Sequence, residues 1–192
     1  NASNYNKSSN NKFDIFTMEE IKTIFDNANN LKHRFLLVLV YNSGLKINEV
    51  INLEVSDLNL KDNTLVIRQK NLSKNRVLRL APNIKELAEK YLEKYNPTKI
   101  LFSGGNSENY YSSRNIQMVF QKILTDSGIK KEATLNTLRH SFAVHSLEMG
   151  LDVHILQKIL GHSNIQTTTV YNQFAKIKMS NIQSPLEQIE IA

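Results

Sequence analysis

Glycine ends most of the amphipathic segments in this chain of 192 residues. Apolar residues recur every three or four positions before Gly44, Gly128, Gly150 and Gly161, the spacing of the buried face of a helix. Glycine readily takes the left-handed backbone conformation that terminates a helix. The chain is therefore expected to fold as a series of short helices joined by turns.

Polar residues mark where several of these helices begin. Thr17 and Glu20 have the arrangement of a capping box, and Ser163 and Gln166 repeat it before the last predicted helix, with Ser163 as N-cap. A short helix is expected around Ile47. The longer predicted helices cover about 31–43, 84–95, 113–127, 138–149 and 153–160.

One region departs from the helical pattern. The segments "TLVIRQ" (64–69) and "RVLRLA" (76–81) are aliphatic and β-branched with alternation, and the polar "KNLSKN" (70–75) separates them. Two such runs around a polar turn predict an antiparallel hairpin. The predicted fold class is mainly α with a small antiparallel β-sheet, an α+β fold.

The length of the chain is sufficient for one well-packed domain, which we place at residues 13–178. Residues 1–12 are rich in Asn and Ser and are predicted to form a flexible linker. Residues 179–192 form a predicted C-terminal tail, which either folds back on its own domain or packs on a neighbouring protomer.

Composition narrows the functional classes. The longest apolar run, "FLLVLVY" (35–41), is too short to cross a membrane, and the N-terminus does not resemble a signal peptide. The chain has no cysteine, which excludes disulfides and thiolate metal sites. We therefore expect a cytoplasmic protein with no membrane partner.

The net charge of +6 and the pI of about 9.4 favour a polyanionic partner. Clustered Lys and Arg displace counterions from phosphates, so nucleic acid is the simplest such partner. The alternative is a charge that serves solubility alone.

The segment "TLRHSFAVH" (137–145) holds the first candidate site residue. Arg139 is predicted to open a helix, where it could hold a phosphate beside free backbone N–H groups. The alternative is an ion pair with a nearby carboxylate. His140 and His145 are five positions apart, which does not suit a shared metal site on one helix, so no metal is expected.

The segment "LGHSNIQTTTVY" (160–171) holds two further candidate site residues, His162 and Tyr171. His162 follows a glycine between two predicted helices, where its ring can face a groove. Tyr171 is open to two interpretations: a packed side chain with a hydrogen-bonded hydroxyl, or a nucleophile. A phenol is a poor nucleophile unless cations stabilise the developing charge.

The long segment "LRHSFAVHSLEMGLDVHILQKILGHSNIQTTTVYNQF" (138–174) resembles the signature of the tyrosine recombinases, the phage-integrase and Xer-type site-specific recombinases. That signature has an Arg in "LRH", a His in "LGH" and a nucleophilic Tyr nine residues after that His. Arg139, His162 and Tyr171 match it at the same offsets.

The resemblance extends upstream and covers about residues 14–175. The segment "YNSGLKINEVINLEVSDLNL" (41–60), with Glu49 and Asp57, is similar to the first box of the family. The predicted hairpin resembles the family's hairpin, whose lysine acts as a general acid. Lys70 stands at that place, and Lys74 is a second candidate because the turn is longer here. The separate N-terminal DNA-clamping domain of the family is not expected in this chain.

Two positions depart from the family pattern. Lys46 stands where the family has an Arg in "GLR", and Asn136 stands where it usually has a His three residues before the second Arg. Lys46 keeps the charge but not the planar fork that binds two oxygens at once. Asn136 can donate a hydrogen bond but cannot carry a proton.

The resemblance implies DNA strand cleavage and rejoining without a cofactor. Lys46 and Arg139 would hold the scissile phosphate, Asn136 and His162 would add hydrogen bonds, and Tyr171 would form a 3′-phosphotyrosyl bond. Lys70 would protonate the 5′ oxygen. The implied partners are a specific double-stranded DNA site and further copies of the chain, in a tetramer on synapsed DNA. Predicted DNA contacts are Lys74, Arg76, His140 and Arg114.

A different class stays open: a DNA-binding relative, natural or engineered, with weakened or lost catalysis and an architectural or regulatory role, which Lys46 and Asn136 favour. A type IB topoisomerase would use similar chemistry, but the spacing resembles the recombinases more closely.

Overall fold

The computed structural model describes residues 14–68, 75–103 and 111–176. The predicted linker at 1–12, the turn that contains Lys70 and Lys74, and the predicted tail at 179–192 lie outside the described residues. The roles assigned to these segments therefore stay predictions, as do the proposed domain boundaries.

Helices dominate the described residues, with one small sheet between the third and fourth helix. The helices are α1 (Met18–Asn27), α2 (Leu31–Ser43), α3 (Ile47–Ile51), α4 (Ile84–Tyr95), α5 (Ser113–Asp126), α6 (Leu135–Glu148), α7 (Val153–Leu160) and α8 (Gln166–Thr169). The strands are β1 (Leu58–Asn59), β2 (Thr64–Ile67) and β3 (Arg76–Arg79), and 3₁₀ turns lie at Val55–Asp57 and Val170–Gln173. The predicted fold class is confirmed.

Local capping chemistry sets several helix ends where the sequence predicts them. Thr17 and Glu20 exchange the two hydrogen bonds of a capping box at the start of α1. Asp152 accepts two backbone N–H bonds at the start of α7. Gly44 and Gly161 end α2 and α7 with φ of +56° and +67°, in the left-handed region that glycine enters without a Cβ clash.

The sheet is antiparallel, in the order β1, β2, β3. Pairing of Leu65 with Leu78 and of Ile67 with Arg76 confirms the predicted hairpin. Strand β1 was not predicted, because two residues are too few to show alternation.

Two clusters of buried apolar side chains hold the fold together. The larger unites α1 to α6 with the sheet and contains the packed rings of Phe35, Tyr91 and Phe102. The smaller joins α6 and α7 to the segment that carries Tyr171. Within the described parts of the chain, no helix has both the length and the apolar character needed to cross a membrane.

Two predicted helix starts are wrong. Helix α6 begins at Leu135 rather than near Leu138, because Leu135 is buried and Thr137 accepts the Thr134 N–H at 3.1 Å, which closes the first turn earlier. Arg139 is therefore the fifth residue of α6 and does not open it.

The last helix begins at Gln166, and Ser163 does not cap it. Asn164 takes that role in part, because its side chain accepts the Gln166 N–H at 2.9 Å. The turn after α7 is accordingly longer than predicted.

Candidate active site

A cleft of about 560 Å³ lies where the start of α3, the first half of α6 and the segments after α7 converge. It is lined by Lys46, Ile47, Asn48, Asn136, Arg139, His140, His162, Thr167, Val170 and Tyr171. Five of the six residues predicted to act in catalysis thus share one cleft, although 125 positions separate the first from the last, Lys46 and Tyr171. Lys70, the sixth, lies outside the described residues.

Arg139 is buried at the floor of the cleft, with only 4% of its surface exposed. Its guanidinium donates to the carbonyl of Gly44 and, at 2.8 Å, to that of Leu160. Both carbonyls belong to helix C-termini, where backbone oxygens lack intrahelical partners and the helix dipole attracts cations. The ends of α2 and α7 therefore orient Arg139, which keeps two of its five N–H donors outside these bonds and the one to His162.

Close packing of Gly44 supports this arrangement. A Cβ at this position would lie 2.7 Å from side-chain carbons of Leu160 and Phe142. The glycine that the sequence indicated as a helix end is thus also the point where α2 comes close enough to bond Arg139.

Glu49 connects the cations behind the cleft. Its carboxylate accepts the backbone N–H of Lys46 at 2.8 Å and the Nη1–H of Arg76 at 2.9 Å, and it lies 3.9 Å from Nη1 of Arg139. Glu49 lies in the segment that resembles the first box of the family, but nothing in the sequence indicated this role. The sequence left two alternatives for Arg139, a phosphate contact or an ion pair with a carboxylate. The structure shows Arg139 beside a carboxylate and also lining the cleft.

Arg76 extends the cationic region towards a second cleft of about 620 Å³, which His162 also lines. The Arg76 side chain is 9% exposed, and its Nε and Nη2 are buried without a hydrogen-bond partner among the described residues. Buried N–H groups left unpaired are costly, so this guanidinium is suited to an anionic ligand. Direct DNA contact by Arg76 stays a prediction.

His162 is held in one tautomer. Its Nε2 lies 2.9 Å from Nη2 of Arg139, which can only donate, so Nε2 accepts and Nδ1 carries the proton. Nδ1 then donates to Oγ1 of Thr168 at 2.8 Å. Burial, with the charges of Arg139, Lys46 and Arg76, lowers the pKa of His162 to about 4, so the ring is neutral at pH 7. Thr168 was missed, and the run "TTT" was the only sequence signal for it.

Tyr171 lies in the 3₁₀ turn after α8 and is 3% exposed. Its hydroxyl is 2.8 Å from Nδ1 of His140, and the two rings are 5.7 Å apart. Burial raises the pKa of the Tyr171 phenol, and the charge of Arg139 opposes that rise. The phenol is therefore protonated at neutral pH and must lose its proton to react.

The remaining residues predicted for the site differ in whether they line the cleft. Lys46 and Asn136 are exposed at the cleft, on the residue before α3 and in the first turn of α6. Arg114 is exposed in the first turn of α5 and does not line the cleft. His140, predicted to contact DNA, contacts Tyr171. No group of three or more His, Asp or Glu side chains suited to a metal occurs in the described ranges.

Comparison with known proteins identifies the family of the chain. Residues 14–177 match the model of the phage integrase family. The chain is 34% identical over 182 residues to the tyrosine recombinase XerD of Oceanobacillus iheyensis, covering 88% of this chain and 60% of that protein. It is 30% identical over 178 residues to the tyrosine recombinase XerA of Pyrococcus horikoshii, covering 91% of this chain and 61% of that one.

Solved structures show the same fold. A crystal structure of XerA recombinase superposes with a TM-score of 0.77 at 23% identity, over 91% of this chain and 64% of that one. The XerH site-specific recombinase bound to a palindromic difH substrate in a post-cleavage complex also gives a TM-score of 0.77 at 23% identity, over 89% of this chain and 53% of that one. The chain thus spans less than two thirds of the length of each of these proteins.

Proposed function

The chain belongs to the phage integrase family, and we propose that it is the catalytic domain of a site-specific DNA recombinase. In this role it cleaves and rejoins DNA strands through a 3′-phosphotyrosyl intermediate. One observation carries the proposal: a buried phenol shares a cleft with a buried, tightly oriented arginine. Cations fixed before the reaction begins are what an otherwise weak phenol nucleophile requires.

The chemistry is assigned to the cleft residues as follows. Arg139 and Lys46 hold the non-bridging oxygens of the scissile phosphate, and His162 and Asn136 add hydrogen bonds. The Nδ1–H of His162 bonds to Thr168 in this structure. His162 therefore either exchanges this bond for one to the phosphate or acts through Arg139, which it orients. Oη of Tyr171 attacks phosphorus, the bond to the 5′ oxygen breaks, and Lys70 protonates that oxygen.

Rejoining reverses these steps with a 5′ hydroxyl from a partner strand. The covalent bond to Tyr171 conserves the energy of the phosphodiester, so the reaction is expected to need no cofactor. A specific double-stranded DNA site and a tetramer on synapsed DNA are part of the proposal, as is contact of the 179–192 tail with a neighbouring copy. A chromosomal or mobile-element DNA substrate is consistent with the expected cytoplasmic location.

Capture of a covalent adduct tests the proposal and finds the DNA site at the same time. The chain is incubated with a pool of randomised duplexes, each nicked near its centre so that a short strand diffuses away after cleavage. Protein is denatured, washed and digested, and the DNA that stays attached is sequenced. We expect one enriched site, with the adduct on Tyr171 by mass spectrometry and no adduct with Tyr171→Phe.

Other outcomes separate the competing functions. An adduct that persists in Tyr171→Phe rules out this nucleophile. Sequence-specific binding with no adduct favours a catalytically inactive DNA-binding relative. Adducts on every sequence, together with relaxation of supercoiled plasmid, favour a topoisomerase.

A further inference from the structure

The structure brings a proton acceptor to Tyr171 from an unpredicted position. Asn136, at the family's usual histidine position, has a carboxamide that cannot take up a proton. His140 lies four residues later, one turn further along the same helix, and its Nδ1 contacts the Tyr171 hydroxyl at 2.8 Å.

A comparison of the two histidines in the cleft also indicates His140 as the proton acceptor. Among the described residues that line it, the side chains that can accept a proton near neutral pH are His140 and His162. The Nε2 lone pair of His162 is engaged by Arg139, and its Nδ1 already carries a proton. His140 is therefore the imidazole that can receive the proton of the phenol.

His140 is neutral at pH 7, so its Nδ1 can accept a proton. Burial, followed by the charge of Arg139, lowers the pKa of His140 to about 4. The negative charge of a bound phosphate would raise this low pKa and make His140 a stronger base. With its proton on Nε2, the neutral ring presents the Nδ1 lone pair to the Tyr171 hydroxyl. Among the residues that the structure describes, the charged and titratable groups that share the cleft with it are Arg139, Lys46, His162 and Tyr171 itself.

We propose that His140 is the general base for strand cleavage and takes the proton of Tyr171 onto Nδ1 as Oη attacks phosphorus. This inference rests on the proposed function. The Oη–H bond breaks and an Nδ1–H bond forms, while the P–Oη bond forms and the bond from phosphorus to the 5′ oxygen breaks. Lys70 supplies the proton of the 5′ hydroxyl. During rejoining, His140 returns its proton to Oη.

The substitution His140→Asn isolates this step. The amide of asparagine occupies the place of Nδ1 and can still bond to the phenol, but it cannot accept a proton. The chain also offers a matched control, because His145 on the same helix makes the same 2.8 Å contact to Tyr41, outside the cleft. His145→Asn removes an equivalent imidazole without touching the reaction.

The substrate is the duplex recovered by adduct capture, with sulfur in place of the 5′ bridging oxygen at the cleaved bond. A thiolate leaves without protonation, so the rate no longer depends on proton donation by Lys70, and the proton transfer that remains in the step is the one from Tyr171. Single-turnover adduct formation is measured from pH 5.5 to 9, and circular dichroism confirms that each variant is folded. His140→Gln is measured in parallel in case the asparagine variant does not fold.

We expect His140→Asn to cleave about 100-fold or more slowly at pH 7. Its rate should rise about tenfold per pH unit, because hydroxide or prior ionisation must then remove the proton, while the unsubstituted chain and His145→Asn stay nearly level. Adding Asn136→His to His140→Asn should recover about tenfold, because an imidazole one turn away again faces the phenol.

Two results would overturn the inference. Cleavage by His140→Asn within about threefold of the unsubstituted chain means that the proton goes elsewhere. A slower reaction with an unchanged pH profile and no recovery by Asn136→His means that His140 only positions Tyr171. In both cases the Tyr171-dependent adduct still forms and the proposed function stands, whereas loss of that adduct from the unsubstituted chain overturns the proposed function as well.

Discussion

Removing the charge of Glu49 should lower the free energy of unfolding more than the removal of an exposed ion pair would. Glu49→Gln keeps the size of the side chain and its ability to accept a hydrogen bond. It leaves Arg76 and Arg139, with side chains 9% and 4% exposed, as neighbouring cations without the carboxylate between them. The two guanidinium groups then repel each other in a region where water screens them poorly.

The distances set the size of the effect. At an effective dielectric constant of about 20, the 2.9 Å contact to Arg76 is worth about 6 kcal/mol before desolvation, and the 3.9 Å contact to Arg139 about 4 kcal/mol. Desolvation offsets much of this, and loss of one partner from a buried pair costs about 3–5 kcal/mol. Glu49 is itself 16% exposed, so we take about 3 kcal/mol, which corresponds to a Tm lower by about 6–12 °C.

Thermal unfolding followed by circular dichroism measures this change. Glu86→Gln is the matched control, because Glu86 contacts Lys90 at 2.6 Å on the exposed face of α4 and should leave Tm nearly unchanged. Sulfate should raise the Tm of Glu49→Gln more than that of the unsubstituted chain, because an anion in the cleft replaces the lost charge. A fall in Tm of less than about 2 °C would refute the reasoning.

Three further predictions follow from the same geometry. Gly44→Ala should destabilise the protein by about 1–3 kcal/mol and slow adduct formation, because the added Cβ meets packed side chains. Gly128 also has a positive φ but has open space around it, so Gly128→Ala should destabilise the protein less and leave the rate of adduct formation unchanged. Lys46→Arg should raise adduct formation about tenfold or more by restoring the planar fork, and an unchanged rate would show that Lys46 is already adequate. Tm should fall as the pH is lowered from 7 to 5. Folding depresses the pKa of His140 and His162 to about 4, so the unfolded chain binds more protons than the folded chain in this pH range. His140→Asn should reduce this dependence of Tm on pH.

Much of the secondary structure follows from local patterns. The capping box at Thr17, the glycine after α2 and the alternation on both sides of "KNLSKN" each depend on a few neighbouring residues, and the structure confirms all three. The start of α6 was predicted wrongly because burial of Leu135, a tertiary effect, adds a turn to the helix.

The sequence by itself indicated Arg139, His162 and Tyr171 as candidate site residues, because their spacing matches one family's motif. It gave no role to Glu49 or Thr168, and it did not pair His140 with Tyr171. Only the tertiary structure decided the contacts of these residues: Arg139 bonds the carbonyl of Gly44, 95 positions away, and Tyr171 bonds His140 across 31. Periodicity reports which face of a segment is buried. It does not report which distant helix end supplies a carbonyl or which imidazole meets a phenol, because those pairings exist only once α2, α6 and α7 have packed together.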